Sequence, residues 1–488
     1  MSKKDKELRQ QVACEWLEQN YLNWGHLRHD IVTDRLQIRC ADSTGEEAIR
    51  RGGERQERWR NLTDKDINTM VCNCVAESQV NINLSEMFTA LKSDLVPAVH
   101  PIRAWLDGLP PYTPDQPDWI DWVASQVTVK PSLLSDDRPK GLLDRTSCCE
   151  TTCSTPKSHE LFQGPRTLRD RTEGAERPME SLSECNERSE ANAYWRQCFK
   201  KWFVAMVASW MKDEVVNHTV LVFVGRQGIF KTTWMDHLIP PALREYSSKL
   251  PLSGQISKDD RLRLCENAML NIDELDAICG REMNIVKSLL TSTDVNERAA
   301  YGRLKERRVR LASFCASTNN REFLTDVTGN RRWLPFEVES IQNPFHITLP
   351  YELIYAQAKA LVESGRFIYW FDLEDIEQLE KHNEEFRAME NEEQLLPILF
   401  DVPAEGKGEF MTTAEISDKL VTYGGIKKPM STRQLGMLLS KKGYIKKMMY
   451  ISGTMVRGWM VYQRESDEIK LVKRIERDLT TLQPYNLF

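Results

Sequence analysis

The sequence predicts an α/β protein with a parallel sheet at its centre, a mixed N-terminal domain before it and a helix–helix–hairpin domain after it. Three observations predict the central sheet. Thr219–Val224 (TVLVFV) is an apolar, β-branched run that leads into GRQGIFKTTW. Ala268–Ile272 (AMLNI) is a second short apolar run, ending in Asp273 and Glu274. Arg310–Ser317 (RLASFCAS) is a third, ending in Thr318 and Asn319. Short apolar runs bounded by turn signals are what strands covered on both faces require.

At 488 residues the chain exceeds what one hydrophobic core organises, and five segments are legible. Residues 1–128 read as an N-terminal α+β domain. Leu36 and Ile38 belong to a hairpin arm, Thr63 caps a helix over Asp64–Cys74, and two amphipathic helices, HPIRAWLDGLPP and PDWIDWVASQV, flank a Pro-rich turn. Their Trp105, Trp119 and Trp122 read as core rather than as a base-stacking surface. Residues 129–192, rich in Ser, Thr, Arg, Glu and Pro, read as a disordered linker or insertion. Residues 193–345 form the α/β core, opening with a helix over Tyr194–Met211. Beyond Phe336 the chain reads as helical, so residues 346–405 suit a lid or connector. Residues 406–488 read as a winged helix: a helix over Met411–Leu420, a second over STRQLGMLLSKKGY, and a hairpin turning at Ser452 and Gly453.

Composition narrows the function classes. A net charge of -6 argues against a uniformly basic nucleic-acid binder, so any polyanion contact is local. No stretch approaches the roughly 18 to 20 apolar residues of a membrane span, and MSKKDKELRQ lacks an apolar signal core, which gives a cytoplasmic protein with no membrane partner as the expectation. Twelve cysteines are too dilute for a disulfide scaffold. Cys72 with Cys74, and Cys148, Cys149 and Cys153 near His159, lack standard zinc spacing, and free thiols are the expectation over a zinc site.

The order strand, loop, helix around Gly225, Arg226, Gln227, Gly228, Ile229, Phe230, Lys231, Thr232 and Thr233 is that of a P-loop. Backbone N–H groups at the start of a helix favour bound phosphate, and Gly225 and Gly228 permit close approach. Lys231 would sit between β- and γ-phosphates of ATP, Thr232 would ligate magnesium, and Thr233 flanks it. Phe230 departs from the pattern, because glycine usually precedes the lysine. Asp273 suits the second magnesium ligand and Glu274 the orientation of the attacking water. Asn319, at the end of the third strand, is a candidate sensor of the γ-phosphate. In TGNRRWLPFEV, Arg331 and Arg332 lie on a turn before an apolar strand, from which a guanidinium could reach the γ-phosphate of a neighbouring subunit; the alternative is a solvated pair.

GRQGIFKTT, NIDELD, CASTNN and TGNRRWLPF, in this order and spacing, resemble the virulence-associated E family of P-loop ATPases, related to superfamily 3 helicases. The resemblance covers roughly Trp195 to Ser364, and LRHDIVTDRLQIR, HPIRAWLDGLP and the C-terminal segment resemble versions from Bacteroidetes mobile elements. It implies an AAA+-like core, ATP with magnesium, a ring-like and hexameric homo-oligomer, and an arginine supplied in trans. It also implies a DNA-contacting hairpin between the second and third motifs, where Arg298, Tyr301, Arg303, Lys305, Arg307 and Arg308 would supply cations and one stacking face. From the residues alone, cations beside one Tyr fit an electrostatic track for a single strand, and the alternative is a solvated charged hairpin. In the winged helix, Thr432, Arg433 and Gln434 start the second helix, Lys441 and Lys442 end it, and Lys446, Lys447 and Arg457 lie near the wing, so DNA and protein contacts both fit. Two functions follow: a magnesium-dependent ATPase acting on single-stranded DNA in replication or mobilisation of a phage, plasmid or integrated element, or an ATP-dependent oligomeric switch in regulation or defence without unwinding.

Overall fold

The computed structural model describes residues 3–40, 59–131, 182–250, 257–273, 275, 280–297, 306–324, 330–388, 391–403, 408–426, 429–451, 453–465 and 468–470. The chain divides into two compact units, Met1–Phe386 and Arg387–Phe488.

The first unit begins with α1 (Lys3–Leu17), the hairpin β1 (Leu27–Asp30) and β2 (Arg35–Arg39), β3 (Trp59–Asn61), α2 (Asp64–Ser78), α3 (Leu84–Leu91) and β4 (Ala98–Val99). Its strands run β3-β2-β1-β4, with β1 antiparallel to β2 and parallel to β4. α2 starts at Thr63 with a capping box: the hydroxyl accepts from the Asp66 N–H while the Asp66 carboxylate accepts from the Thr63 N–H. Ala13, Leu17, Met70, Cys74, Met87 and Leu91 form the centre of a separate small core.

The main sheet follows, in a mixed α/β arrangement. It is built from α4 (Pro101–Asp107), α5 (Trp119–Ala124), β5 (Val127–Val129), α6 (Leu182–Met211), β6 (Val220–Val224), α7 (Lys231–His237), β7 (Ser247–Lys249), α8 (Lys258–Glu266), β8 (Met269–Ile272), α9 (Gly280–Thr291), the hairpin β9 (Asp294–Glu297) and β10 (Glu306–Val309), β11 (Ser313–Thr318), β12 (Trp333–Ile341), α10 (Tyr351–Ser364) and α11 (Leu373–Asn383). The order is β5-β12-β6-β11-β8-β7, with five parallel strands and β5 antiparallel at the edge. Side chains of β6 alternate between two cores: Leu221 and Phe223 join Trp195, Phe199 and Trp234 on one face, and Val220, Val222 and Val224 join Leu270, Ile272 and Phe314 on the other.

Three expectations shift. β12 continues through Ile341 instead of giving way to helix after Phe336, because Val338, Ser340 and Ile341 pair with Val129, Thr128 and Val127. α6 starts at Leu182, ahead of Tyr194, and the segment expected to be a linker is described only at its ends. Trp105 and Trp119 pack against the main core, whereas Trp122 keeps 37% of its surface exposed.

The second unit comprises α12 (Asn391–Leu399), β13 (Phe400–Asp401), β14 (Glu409–Met411), α13 (Thr413–Gly424), α14 (Thr432–Lys441), β15 (Ile445–Ile451) and β16 (Thr454–Gln463). β13, β14 and β15 all pair antiparallel with β16. Met411 closes β14 and α13 begins two residues later, since the Thr412–Glu415 capping box fixes its start. Ser431 and Gln434 cap α14 in the same way. Ile416, Leu420, Leu435, Leu439, Trp459 and Val461 share the unit's core. Ser452 lies outside the described residues, while Gly453 takes φ +86°.

Candidate functional site

Adjacent parallel strands β8, β11 and β6 end at the same edge of the sheet, with Thr318 opposite Val224 and Ala316 opposite Ile272. Three sequence-predicted segments therefore meet there: Asp273 just past β8, Asn319 just past β11, and the 225–230 loop between β6 and α7. In parallel α/β sheets this carboxyl-terminal edge is where ligands bind.

The loop is shaped by backbone. Gly225 takes φ +152°, and a Cβ placed there would come within 3.0 Å of the Val338 carbonyl oxygen and 3.2 Å of Ile229 Cδ1. Gly228 takes φ +86° with open space around it. Phe230, where the pattern has glycine, adopts φ 67° and ψ 18° as the residue capping α7. The geometry that favours glycine is thus kept, and a bulky side chain bears it. Its ring meets Phe345 edge-on at 6.4 Å. Arg226, Gln227 and Gly228 are exposed, and Ile229 half-buried.

Lys231 is buried, and its Nζ donates to the carbonyl oxygens of Gly225 (2.6 Å) and Arg226 (2.7 Å) and to Asn319 Oδ1 (3.1 Å). Lys231 and Asn319, 88 residues apart, thus share one hydrogen bond. Beside them, Asp273 Oδ1 accepts from Ser317 Oγ at 2.9 Å and Thr232 Oγ1 at 3.2 Å, and the two hydroxyls lie 3.2 Å apart. Asp273 Oδ2 accepts from Lys249 Nζ at 2.7 Å. Burial pushes the Asp273 carboxyl up, but the bonds from Lys249, Ser317 and Thr232 outweigh it and hold the group below its ordinary value. One ionised carboxylate and two hydroxyls are hard oxygen donors of the kind magnesium takes alongside substrate phosphates. Among the described residues, no cluster of three or more His, Cys, Asp or Glu side chains forms a self-sufficient metal cage. Glu274 lies outside the described residues.

Lys249 and Ser317 were not anticipated. Ser317 carried a weak signal, a hydroxyl at the end of an otherwise apolar strand; Lys249 carried none, since its place on the edge strand β7 follows from topology alone. The Thr233 carbonyl oxygen lies 2.7 Å from His237 Nδ1, one turn further along α7. α7 is anchored behind the loop by Trp234, whose ring lies 5.3 Å from Phe223 and 5.5 Å from Phe199 and whose Nε1 donates to Gln126 Oε1 at 3.1 Å.

Arg331 and Arg332 occupy a 3-10 turn, Asn330–Arg332, immediately before β12. Trp333 is in register with Val220 at the beginning of β6, so both arginines sit at the edge of the sheet opposite Lys231. At ~3.3 Å per residue the intervening strand is roughly 15 Å long, beyond what an arginine side chain spans. Asn383, fully buried on α11, fixes the turn by donating to the carbonyl oxygens of Asn330 (2.7 Å) and Trp333 (3.0 Å).

Of the predicted nucleic-acid residues, Arg298, Tyr301, Arg303 and Lys305 lie outside the described residues. The hairpin that would carry them has its two strands, with Glu297 opposite Glu306. Arg307 is exposed and pairs with Asp294; Arg308 turns inward to Glu266 (3.2 Å) and the carbonyl oxygen of Val32. The hairpin base is pinned by Arg310, fully buried, whose guanidinium donates to carbonyl oxygens of Asn217 and Leu290 (both 2.8 Å), Ala312 (3.0 Å) and Leu289 (3.2 Å). Those bonds explain why β11 begins at Ser313 and not at Arg310. In the second unit Arg433 and Lys441 are exposed on α14, while Lys442 pairs with the buried Glu393 at 3.5 Å.

Residues 169–388 match the virulence-associated protein E-like domain. Over that span, a little under half of its length, the chain is similar to that domain. The virulence-associated protein E-like domain holds the whole 225–233 loop, Lys249, Asp273, Ser317, Asn319, Arg331 and Arg332, and its end at 388 lies beside Phe386, where the first unit closes. Among solved structures, the chain is similar to the apo structure of the NrS-1 C terminal region (305-718), at 11% identity and a TM-score of 0.39. A second, the A form apo structure of that region, gives 10% identity and a TM-score of 0.41; each match covers 92% of this chain and 99% of the other. No curated protein matches the chain. Among the described residues no helix is long and apolar enough to cross a membrane.

Proposed function

We propose that the chain is a magnesium-dependent ATPase of superfamily 3 helicase-like type that acts on DNA in replication or mobilisation of a phage, plasmid or integrated element. The observation that carries this reading is the meeting of Lys231 with Asn319, and of Thr232 with Ser317 and Asp273, at one carboxyl-terminal sheet edge behind a loop with three left-handed residues. The virulence-associated protein E-like domain supports it.

In this reading the N–H groups of the loop and the first turn of α7 bind the β-phosphate, and Lys231 exchanges its carbonyl partners for phosphate oxygens. Thr232, Ser317 and Asp273 would hold the magnesium, which would supply positive charge to the phosphate groups. Asn319 orients the terminal phosphoryl group, and Glu274 orients the attacking water. Arg331 or Arg332 reaches the site of a neighbouring copy, because its own site is a strand length away. A ring-shaped, hexameric assembly arranges copies head to tail in this way.

The test is magnesium-dependent ATP hydrolysis by wild type and Lys231→Ala, with and without single-stranded DNA. Turnover stimulated by DNA and lost in the variant supports the reading. Turnover indifferent to DNA moves it to an ATP-driven switch, and wild-type turnover in Lys231→Ala removes the site.

A further inference from the structure

The β15–β16 hairpin exposes large side chains that its own unit leaves uncovered. Trp459, buried and donating to Thr413 Oγ1 at 2.9 Å, is where β16 meets the core. Beyond it the register pairs Met448 with Arg457 and Tyr450 with Met455, so these four share the face that Trp459 anchors. Tyr450 is 71% exposed, Met455 55% and Met448 52%. At ~3.4 Å per residue, the five steps from Trp459 to Thr454 carry the tip roughly 17 Å beyond the core. Lys446 and Arg457, both exposed, stand on that face, while Lys447, paired with Gly458, is exposed on the other, and Lys446 Nζ lies 5.5 Å from the centre of the Trp459 ring. A chain of net charge -6 therefore concentrates cations where it also presents an aromatic ring and two thioether side chains.

We infer that this hairpin is a base-stacking pin for single-stranded nucleic acid, with Tyr450 as its stacking face, Met448 and Met455 as apolar flanks, and Lys446 and Arg457 as phosphate contacts. Cations track a backbone of regular negative charge, and a ring among them offers a face that any base can cover. Methionines at the sides adapt to a step of variable width and can wedge between bases. Charge complementarity favours this occupant over an apolar protein surface, which would leave both cations desolvated without partners. The inference rests on the reading of the chain as a protein that works on DNA.

The experiment uses the full chain and a labelled oligonucleotide carrying 2-aminopurine, read by anisotropy and by base fluorescence across a salt series. Tyr450→Ala should weaken binding about fivefold or more and relieve the quenching of 2-aminopurine, while Tyr450→Phe keeps both. Replacing Lys446 and Arg457 by Gln should flatten the salt dependence, which Tyr450→Ala leaves alone. Wild-type affinity and quenching in Tyr450→Ala overturn the pin, as does a Tyr450→Phe loss equal to that of Ala, which would make the hydroxyl the contact. A change of oligomeric state without a change in DNA binding overturns it in favour of a contact between copies. DNA binding that depends on Tyr450 in a protein without Lys231-dependent hydrolysis would keep the pin and defeat the ATPase reading; hydrolysis without DNA binding would do the reverse.

Discussion

Phe230 offers the sharpest test of the loop. Its left-handed backbone costs a residue with a Cβ about 1 to 2 kcal/mol, which glycine does not bear. Its half-buried ring returns about 0.5 to 1.5 kcal/mol through the edge-on contact with Phe345. Phe230→Ala loses the ring and keeps the strain, so it should destabilise the first unit by about 1 kcal/mol. Phe230→Gly loses the same ring but escapes the strain, and after about 0.5 to 1 kcal/mol of extra backbone entropy in the unfolded chain it should come out close to wild type. The expected order is wild type and Gly together, with Ala below by about 1 to 2 °C in a unit of this size. Thermal unfolding of the three proteins at equal concentration, with and without ATP, reads the order directly. An alanine variant as stable as the glycine variant would refute the left-handed assignment at 230, and with it the account of how the loop tolerates a phenylalanine.

Other outcomes follow from buried contacts. Arg310→Met should cost about 3 kcal/mol or more in urea unfolding, because several buried carbonyl oxygens lose their donors together; a cost under about 1 kcal/mol would mean that water replaces the guanidinium. Trp234→Ala should cost about 3 to 5 kcal/mol and weaken nucleotide binding, measured with a fluorescent ADP analogue; unchanged affinity would show that α7 does not need its anchor. In the second unit, burial raises the Glu393 carboxyl, but Arg387 at 2.5 Å and Lys442 at 3.5 Å lower it further, leaving it below its ordinary 4.5. A carboxyl depressed by folding contributes stability above its unfolded value and loses it as pH falls through the folded one. Acid unfolding below about pH 4.5 should therefore be shallower in Glu393→Gln, seen by circular dichroism, and identical acid profiles would remove the pair from the account.

What the sequence disclosed was what short windows encode. β6 and β8 were legible because every residue of each strand is buried and apolar or nearly so, and the carboxylate closing β8 stood out against that run. The start of α2 was legible because Thr63 and Asp66 write a capping box three residues apart. The rest depends on partners far away in the chain. β5 gives the last residues of β12 their strand, although the two are separated by some 200 residues, so nothing near Val338 announces it. The polar start of α6 shows no apolar period for a helix to be read from. Arg310 looked like the first residue of a strand and is instead the hub of a carbonyl cluster, a role set by Asn217 and Leu290. At the site, Asp273 was found by its place after a strand, while Lys249 and Ser317 reach it only through the order in which the strands lie.

If the two arginines at the far edge of the sheet act on a neighbouring copy, as proposed, they would carry a consequence for the cell. A site completed by a neighbour's guanidinium belongs to a pair of chains, so turnover per chain should rise with the amount of protein and fall on dilution. On the proposed function a scarce chain would hold ATP without consuming it, and a small fraction of defective copies would silence many intact ones. The abundance of the protein would itself be a control on when the ATP is used.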